Sequence, residues 1–155
     1  MSRIEREIHK IFSRRKVLLV YSKKEEPNEF NEWMRWDAQL GLYIGRRKVG
    51  YINYGQVKGS IGKILDVFIN EEYRGHHLLG ELLFYVATDL HLYGIETILL
   101  SVAKSKLKIW KRYGAIPSIN KDPPTNMKID IEKIQFNGAL EIKSSKGVWY
   151  DESLD

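Results

Sequence analysis

The residues around Arg74 form the part of the sequence best suited to chemistry. Residues 64–69 are mainly apolar and β-prone, a polar turn with Arg74-Gly75 follows, and leucines then recur at helical spacing. A strand that leads directly into a helix leaves unpaired backbone N–H groups at the helix start, at the positive end of the helix dipole. With the Arg74 guanidinium, these groups predict an anion site, most simply for a phosphate or pyrophosphate.

This segment resembles the acyl-CoA-binding motif of the GNAT N-acetyltransferase superfamily, R/Q-x-x-G-x-G/A between a central strand and a long helix. The matching positions are Arg74, Gly75, Leu78, Leu82 and Leu83. His77 and Leu79 stand where the motif prefers a glycine, or a glycine or alanine, which let the backbone approach a pyrophosphate closely. The resemblance implies acetyl-CoA, or another acyl-CoA, as co-substrate. The residues it implies for the diphosphate are Arg74, Gly75, His76, His77, Leu78, Leu79 and Gly80.

Acylation of an amine also needs a donor for the thioester carbonyl and a base for the amine. The family uses a backbone N–H of the central strand for the carbonyl, and the resemblance places it within Val67, Phe68 and Ile69. Asp66 is the carboxylate within that strand, and period-two alternation puts it on one face with Phe68. We predict Asp66 as the general base; an aspartate that caps a turn or pairs with a lysine is the alternative.

The acid that protonates the leaving thiol is a tyrosine in many members of the family. Aligning the family's glycine with Gly114 puts Trp110 at the tyrosine position, and an indole N–H is not a usable acid. Tyr113 and Ser101 are the hydroxyls that could replace it. Trp110 could equally pack against the sheet.

The acceptor would be an amine of unknown class. Its candidate contacts are aromatic, since Trp and Tyr stack on bases, sugars or aromatic amines, and each of them could instead belong to the core. These aromatic candidates are Trp33, Trp36, Tyr51 and Tyr54. The adjacent His76 and His77 lack a third ligand at suitable spacing, so we expect no metal site.

Composition limits the class of protein. With 155 residues, 43% hydrophobic and 29% charged, the chain fits one domain spanning residues 1–155. It has no cysteine, which excludes disulfides and a thiolate metal site. No apolar run approaches the roughly 20 residues of a membrane span. We therefore expect a cytoplasmic protein with no membrane partner. The net charge of +5 favours an acidic partner or a nucleic acid, or reflects a basic surface without an electrostatic role.

The elements that must position these residues follow from periodicity and turn residues. We predict a helix at 2–15, strand 16–21, loop 23–31, short helix or irregular segment 32–39, hairpin strands 41–45 and 49–54, glycine-rich turn 55–62, strand 63–69, helix 78–93, strand 97–103, helix 104–113, loop 120–126, hairpin strands 128–136 and 139–143, and strand 147–150. Over residues 16–143 this order resembles the GNAT fold. It predicts an α/β (α+β) class, with a mixed, mostly antiparallel central sheet flanked by helices. The terminal hairpin could add strands across a homodimer.

Three functions fit these features. The first is an acyl-CoA-dependent N-acyltransferase, most simply an acetyltransferase. The second is a transferase of the same fold with another donor, or with a nucleic-acid or carrier-protein acceptor. The third is a binding module that keeps the fold without catalysis.

Overall fold

The computed structural model describes residues 3–12, 15–24, 34–73, 78–118, 126–134 and 148–150, with side chains described within 34–72, 78–118 and 126–134. The strands are β1 (Arg3–Phe12), β2 (Arg15–Lys24), β3 (Trp36–Ile44), β4 (Arg47–Lys58), β5 (Ile61–Ile69), β6 (Thr97–Ser101), β7 (Ile116–Pro117), β8 (Asn126–Asp130) and β9 (Val148–Tyr150). The helices are α1 (Leu78–Leu92) and α2 (Leu107–Arg112), a further helical turn covers residues 131–134, and 3-10 turns lie at Glu71–Tyr73 and Lys104–Lys106.

The nine strands of the described residues join one sheet, in the order β7-β8-β6-β5-β4-β3-β2-β1-β9. Neighbours in this sheet are antiparallel except β5 and β6, which run parallel with α1 connecting them. A parallel pair needs such a crossover, because a tight turn can join only antiparallel strands. The predicted class, a mixed and mostly antiparallel sheet with helices, is confirmed.

Alternation along β4 decides which face of the sheet is covered. Ile52 and Tyr54 are at most 1% exposed, whereas Tyr51 and Asn53 are half-buried. The buried positions face α1, since the Tyr54 hydroxyl donates to Asp89 Oδ2 of that helix at 2.9 Å. The opposite face of β3, β4 and β5 is therefore the more exposed one.

Glycine ends α1 where the sequence predicts it. Gly94 has φ +74°, and the N–H groups of Gly94 and Ile95 donate to His91 O (3.0 Å) and Leu90 O (3.2 Å). This is a Schellman-type cap, which satisfies carbonyls that the last helical turn would otherwise leave open. In the ranges that the structure describes, no helix is long and apolar enough to cross a membrane.

Four predicted elements differ from the structure. The helix predicted at 2–15 is wrong, because residues 3–12 pair along their whole length with β2. The segment predicted as helical or irregular at 32–39 becomes strand from Trp36 onward, since pairing with β4 outweighs its local preference. The turn predicted at 55–62 is confined to Gly59 and Ser60.

The fourth difference concerns the C-terminal hairpin. The strand predicted at 128–136 ends at Asp130, and residues 131–134 are helical, with Ile131 and Ile134 buried in the core. The predicted second strand at 139–143, and most of the loops predicted at 23–31 and 120–126, lie outside the described residues. The helix predicted at 104–113 is present, but its first three residues form a 3-10 turn.

Candidate functional site

A bulge in β5 sets the geometry of the candidate site. Tyr54 pairs with Ile64 and the preceding Asn53 pairs with Asp66, so Leu65 has no partner in the register. Because side chains alternate with period two, one extra residue in a strand moves every side chain after the bulge to the opposite face of the sheet. Burial follows this exchange: Ile64 faces the core before the bulge and Ile69 does so after it. The bulge thereby turns Asp66 to the exposed face.

The strands β5 and β6 part immediately before that point. Their ladder comprises only Ile61, Gly62 and Lys63, paired with residues 97–99. From Asp66 to Ile69, β5 stays paired with β4. The ladder between the two parallel strands therefore ends at Lys63, and we call the stretch beyond it, on the side where α1 begins, the split.

The backbone of β5 directs alternate amides away from β4, toward this split. The Asn70 N–H donates to Val49 O of β4 at 2.7 Å. Successive amides of a strand point to alternate sides, so the Phe68 N–H also points to β4, while those of Val67 and Ile69 point away from it. The Val67 N–H thus faces the side where the ladder with β6 has ended. A backbone donor at this position was expected from the resemblance.

Asp66 forms a hydrogen bond that spacing in the sequence does not reveal. Tyr51, on the neighbouring strand, donates its hydroxyl to Asp66 Oδ2 at 2.9 Å. This bond raises the pKa of Tyr51 above its ordinary value, with burial and the negative charge of Asp66 adding to the effect. Asp66 itself is exposed and is not enclosed by the apolar strand. The carboxylate is accessible from the open side of the sheet.

Aromatic and polar side chains surround this pair. Tyr51 lies opposite Phe68, with ring centroids 5.9 Å apart and an interplanar angle of 34°. Lys48 Nζ lies 5.3 Å from the Tyr51 ring centroid and 6.0 Å from that of Tyr43. Two amides complete the group, with Gln39 Nε2 donating to Asn53 Oδ1 at 2.9 Å. We call the following residues the open-face cluster: Gln39, Tyr43, Lys48, Tyr51, Asn53, Asp66 and Phe68.

The predicted diphosphate residues are described in part. Arg74, Gly75, His76 and His77 lie outside the described residues. The other three begin α1, with Leu78 and Gly80 buried and Leu79 half-buried against the core.

The first turn of α1 also holds Glu81, which is fully buried. This carboxyl was not among the site residues predicted from the sequence. A charged residue three positions after Leu78, within an otherwise leucine-rich helix face, was the feature that could have revealed it. Near a helix N-terminus a carboxylate is favoured by the helix dipole.

The two hydroxyls predicted as acids have different surroundings. Ser101 ends β6 on the surface, and its Oγ donates to Asn126 Oδ1 at 3.0 Å. Tyr113 follows the last residue of α2 and is 3% exposed. Trp110 is 8% exposed and belongs to the hydrophobic core, so its packing role is the one the structure supports.

The aromatic candidates for acceptor contacts fall into two groups. Trp36 and Tyr54 are buried in the core, where Trp36 Nε1 donates to Gln56 Oε1 at 2.9 Å. Tyr51 belongs to the open-face cluster, and Trp33 lies outside the described residues. Among the side chains that the structure describes, no three His, Asp or Glu residues are grouped as metal ligands would be.

Several solved structures share this architecture at low sequence identity. Gcn5 of Tetrahymena superposes with a TM-score of 0.53 at 14% identity, over 61% of this chain and 68% of that one. PaiA N-acetyltransferase from Thermoplasma acidophilum, solved in complex with coenzyme A, gives 0.54 at 16% identity, over 59% of each chain. BjaI, a CoA-dependent acyl-homoserine lactone synthase, gives 0.52 at 14% identity, over 68% of this chain and 64% of that one.

These comparisons define the class of fold. No family model matches the sequence, and no curated protein matches it. The matched region is less than two thirds of the PaiA and BjaI chains. At this level of identity the similarity lies in the architecture, and the chain has the GNAT fold, in a divergent form.

Proposed function

We propose that this chain transfers an acyl group, most simply acetyl, from acyl-CoA to a primary amine, and that residues 1–155 act as one such domain. The observation that carries the proposal is the split between β5 and β6 beside the start of α1. An extended arm containing amides, such as the pantetheine of CoA, can pair with a strand edge of this kind as an added strand does. Similar folds solved with coenzyme A or isopentyl-CoA support it.

In this proposal the donor is held at two points. Arg74 and the backbone N–H groups from Gly75 to Gly80 bind the diphosphate at the positive end of α1. The Val67 N–H donates to the thioester carbonyl oxygen, and it donates more strongly to the oxyanion that forms there during attack. Val67 belongs to β5 and residues 74–80 follow it along the chain, so this strand and the segment after it would position the whole donor.

The chemistry then needs two proton transfers. The amine attacks the thioester carbon from the open face, the C–N bond forms, and the Asp66 carboxylate accepts the proton from the amine nitrogen. Collapse of the tetrahedral intermediate breaks the C–S bond. The departing CoA thiolate takes a proton from Ser101 or Tyr113, which is the proposed acid.

Binding of the donor can be measured without knowing the acceptor. Isothermal titration of the chain with acetyl-CoA should give micromolar binding, and Arg74→Ala should abolish it. Arg46→Ala is the matched control, because Arg46 is an exposed arginine in the β3–β4 turn, and it should bind as wild type. Failure of the folded wild-type chain to bind acetyl-CoA would contradict the proposal and favour another donor or a binding role.

The two acid candidates are separable by mutation. Release of free CoA thiol from acetyl-CoA is followed with spermidine, a lysine-containing peptide and an aminoglycoside as acceptors in turn. We expect Asp66→Asn to lower turnover while acetyl-CoA binding persists. Either Ser101→Ala or Tyr113→Phe should also lower turnover, and the one that does identifies the acid. Unchanged turnover in both would contradict both assignments.

A further inference from the structure

An exposed aromatic pair lies beside the proposed catalytic carboxylate. Tyr51 and Phe68 occupy opposite positions on β4 and β5, and Phe68 is 45% exposed. Their rings are tilted by only 34° at a centroid separation of 5.9 Å, so together they offer a broad apolar surface. A large aromatic side chain left in contact with water forgoes the free energy of burial. Such a surface is suited to a flat partner that stacks on it.

Charge is distributed unevenly along this surface. Lys48 Nζ lies over the Tyr51 ring on the β3 side, where it donates to Gln39 Oε1, and Arg46 is exposed in the adjoining turn. Asp66 lies on the β5 side of Tyr51, paired in register with Asn53. A ligand that stacks on the rings would therefore meet Lys48 and Arg46 toward β3 and the β3–β4 turn, and the Asp66 carboxylate toward β5.

A nucleotide has this same polarity. Its phosphate is an anion, its base has a flat π face, and the exocyclic amine of a base can donate to a carboxylate. Aromatic rings on a sheet combined with nearby basic residues are the usual means of holding single strands, whose bases are free to stack. The net charge of +5 adds a long-range attraction for such a polyanion.

We propose that the open-face cluster binds a single-stranded nucleic acid, with a base stacked on Tyr51 and Phe68, its phosphate beside Lys48 and Arg46, and its amine-bearing edge toward Asp66. This inference assigns the class of acceptor for the proposed acyl transfer, and that assignment rests on the proposed function. The binding itself needs no acyl donor and can be measured alone.

The test is fluorescence anisotropy of labelled single-stranded oligonucleotides, one RNA and one DNA of mixed sequence, with the full chain at low salt. Base stacking on an aromatic side chain predicts that Phe68→Ala and Tyr51→Ala each weaken binding by about 5- to 100-fold. Leu92→Ala is the control, since Leu92 is 78% exposed near the end of α1, and it should bind as wild type. Affinity should fall as salt is raised, and a duplex should bind more weakly than a single strand.

Two further variants separate stacking from folding and from charge. Phe68→Leu keeps an apolar side chain in the strand but removes the ring, so it should lose affinity, whereas Phe68→Trp should retain it. Absence of binding at low salt would overturn the proposal. Wild-type affinity in Phe68→Leu, or equal affinity for duplex and single strand, would also overturn it, because charge alone would then explain the binding.

Oligonucleotide binding and acetyl-CoA binding can be measured independently. Loss of oligonucleotide binding with intact acetyl-CoA binding is expected for Phe68→Leu. A wild-type chain that binds acetyl-CoA but no oligonucleotide would overturn this inference alone. A chain that binds the oligonucleotide but not acetyl-CoA would overturn the proposed acyl transfer and leave the binding surface standing.

Discussion

Two tyrosine–carboxylate hydrogen bonds of equal length lie in different surroundings. Removing each should therefore lower the free energy of unfolding by a different amount. The Tyr54 hydroxyl donates to Asp89 at 2.9 Å, and Tyr54 is 1% exposed between β4 and α1. The Tyr51 hydroxyl donates to Asp66 at 2.9 Å on the open face of the same strand. Mutation of each tyrosine to phenylalanine removes one oxygen and little else.

The expected cost follows from burial. A hydrogen bond to a charged partner contributes about 1.5–3 kcal/mol when water cannot replace the donor, so Tyr54→Phe should lower the free energy of unfolding by that amount. At the exposed site water can replace the lost hydroxyl, and Tyr51→Phe should cost less than about 1 kcal/mol. For a domain of this size, Tyr54→Phe should lower Tm by about 3–12 °C.

Urea and thermal denaturation of the two variants test this reasoning. A double-mutant cycle of Tyr54→Phe with Asp89→Asn isolates the interaction between these two side chains from their other contacts. Its coupling energy should account for most of the loss of unfolding free energy in Tyr54→Phe. Equal destabilisation by Tyr54→Phe and Tyr51→Phe would refute the argument, since only their burial distinguishes the two bonds.

Further predictions concern the same strands. Asp66→Asn should lower the pKa of Tyr51, because it removes the charged acceptor of the hydrogen bond. Spectroscopic titration of tyrosinate would measure this pKa, with Tyr51→Phe identifying the signal of Tyr51. An unchanged titration would contradict the hydrogen bond between Tyr51 and Asp66. Since the pKa of Tyr51 is raised in the folded chain, its contribution to stability should be complete below the ordinary tyrosine pKa of about 10 and lost as pH rises through the raised value, which denaturation at alkaline pH can follow. Gly55→Ala should destabilise the chain by about 3 kcal/mol or more, because a Cβ there would overlap the backbone oxygen of Trp36. Gly45→Ala, with open space around the Cβ but a φ of +63°, should cost only about 1 kcal/mol in the same denaturation assay, and similar costs for the two would contradict the steric argument.

The N-terminal segment illustrates why periodicity alone was insufficient. Ile4, Ile8 and Phe12 are spaced by four, which satisfies a helix but is also an even spacing that satisfies a strand. Only Ile11 distinguishes the two patterns in favour of a helix. In the structure each of the ten residues of β1 pairs with β2, and this long-range pairing outweighs the local preference.

The central region was easier to predict, because its elements are closed by local features. Gly94 and Gly114 end the helices at the predicted places, with φ values of +74° and +93°. The strand before Arg74 and the helix after it also follow from local pattern. Here the turn residues, the apolar periodicity and the packing all favour the same structure.

The composition of the site could not be derived in the same way. Tyr51 and Asp66 are 15 residues apart and meet only because β4 and β5 pair in one particular register. The bulge at Leu65 decides which face Asp66 occupies, and a bulge depends on the partner strand rather than on the local sequence. Chemistry-bearing residue types were recognisable, whereas their partners were not.

The central claim is that an acyl donor pairs with β5 in the split beside β6. Hydrogen exchange of individual amides, measured by NMR with and without acetyl-CoA, tests it most directly. In the free chain the Val67 N–H should exchange faster than that of Phe68, which points to β4. Acetyl-CoA should slow exchange at Val67 and leave Phe68 nearly unchanged. Saturation with acetyl-CoA while Val67 exchange stays the same would contradict the claim.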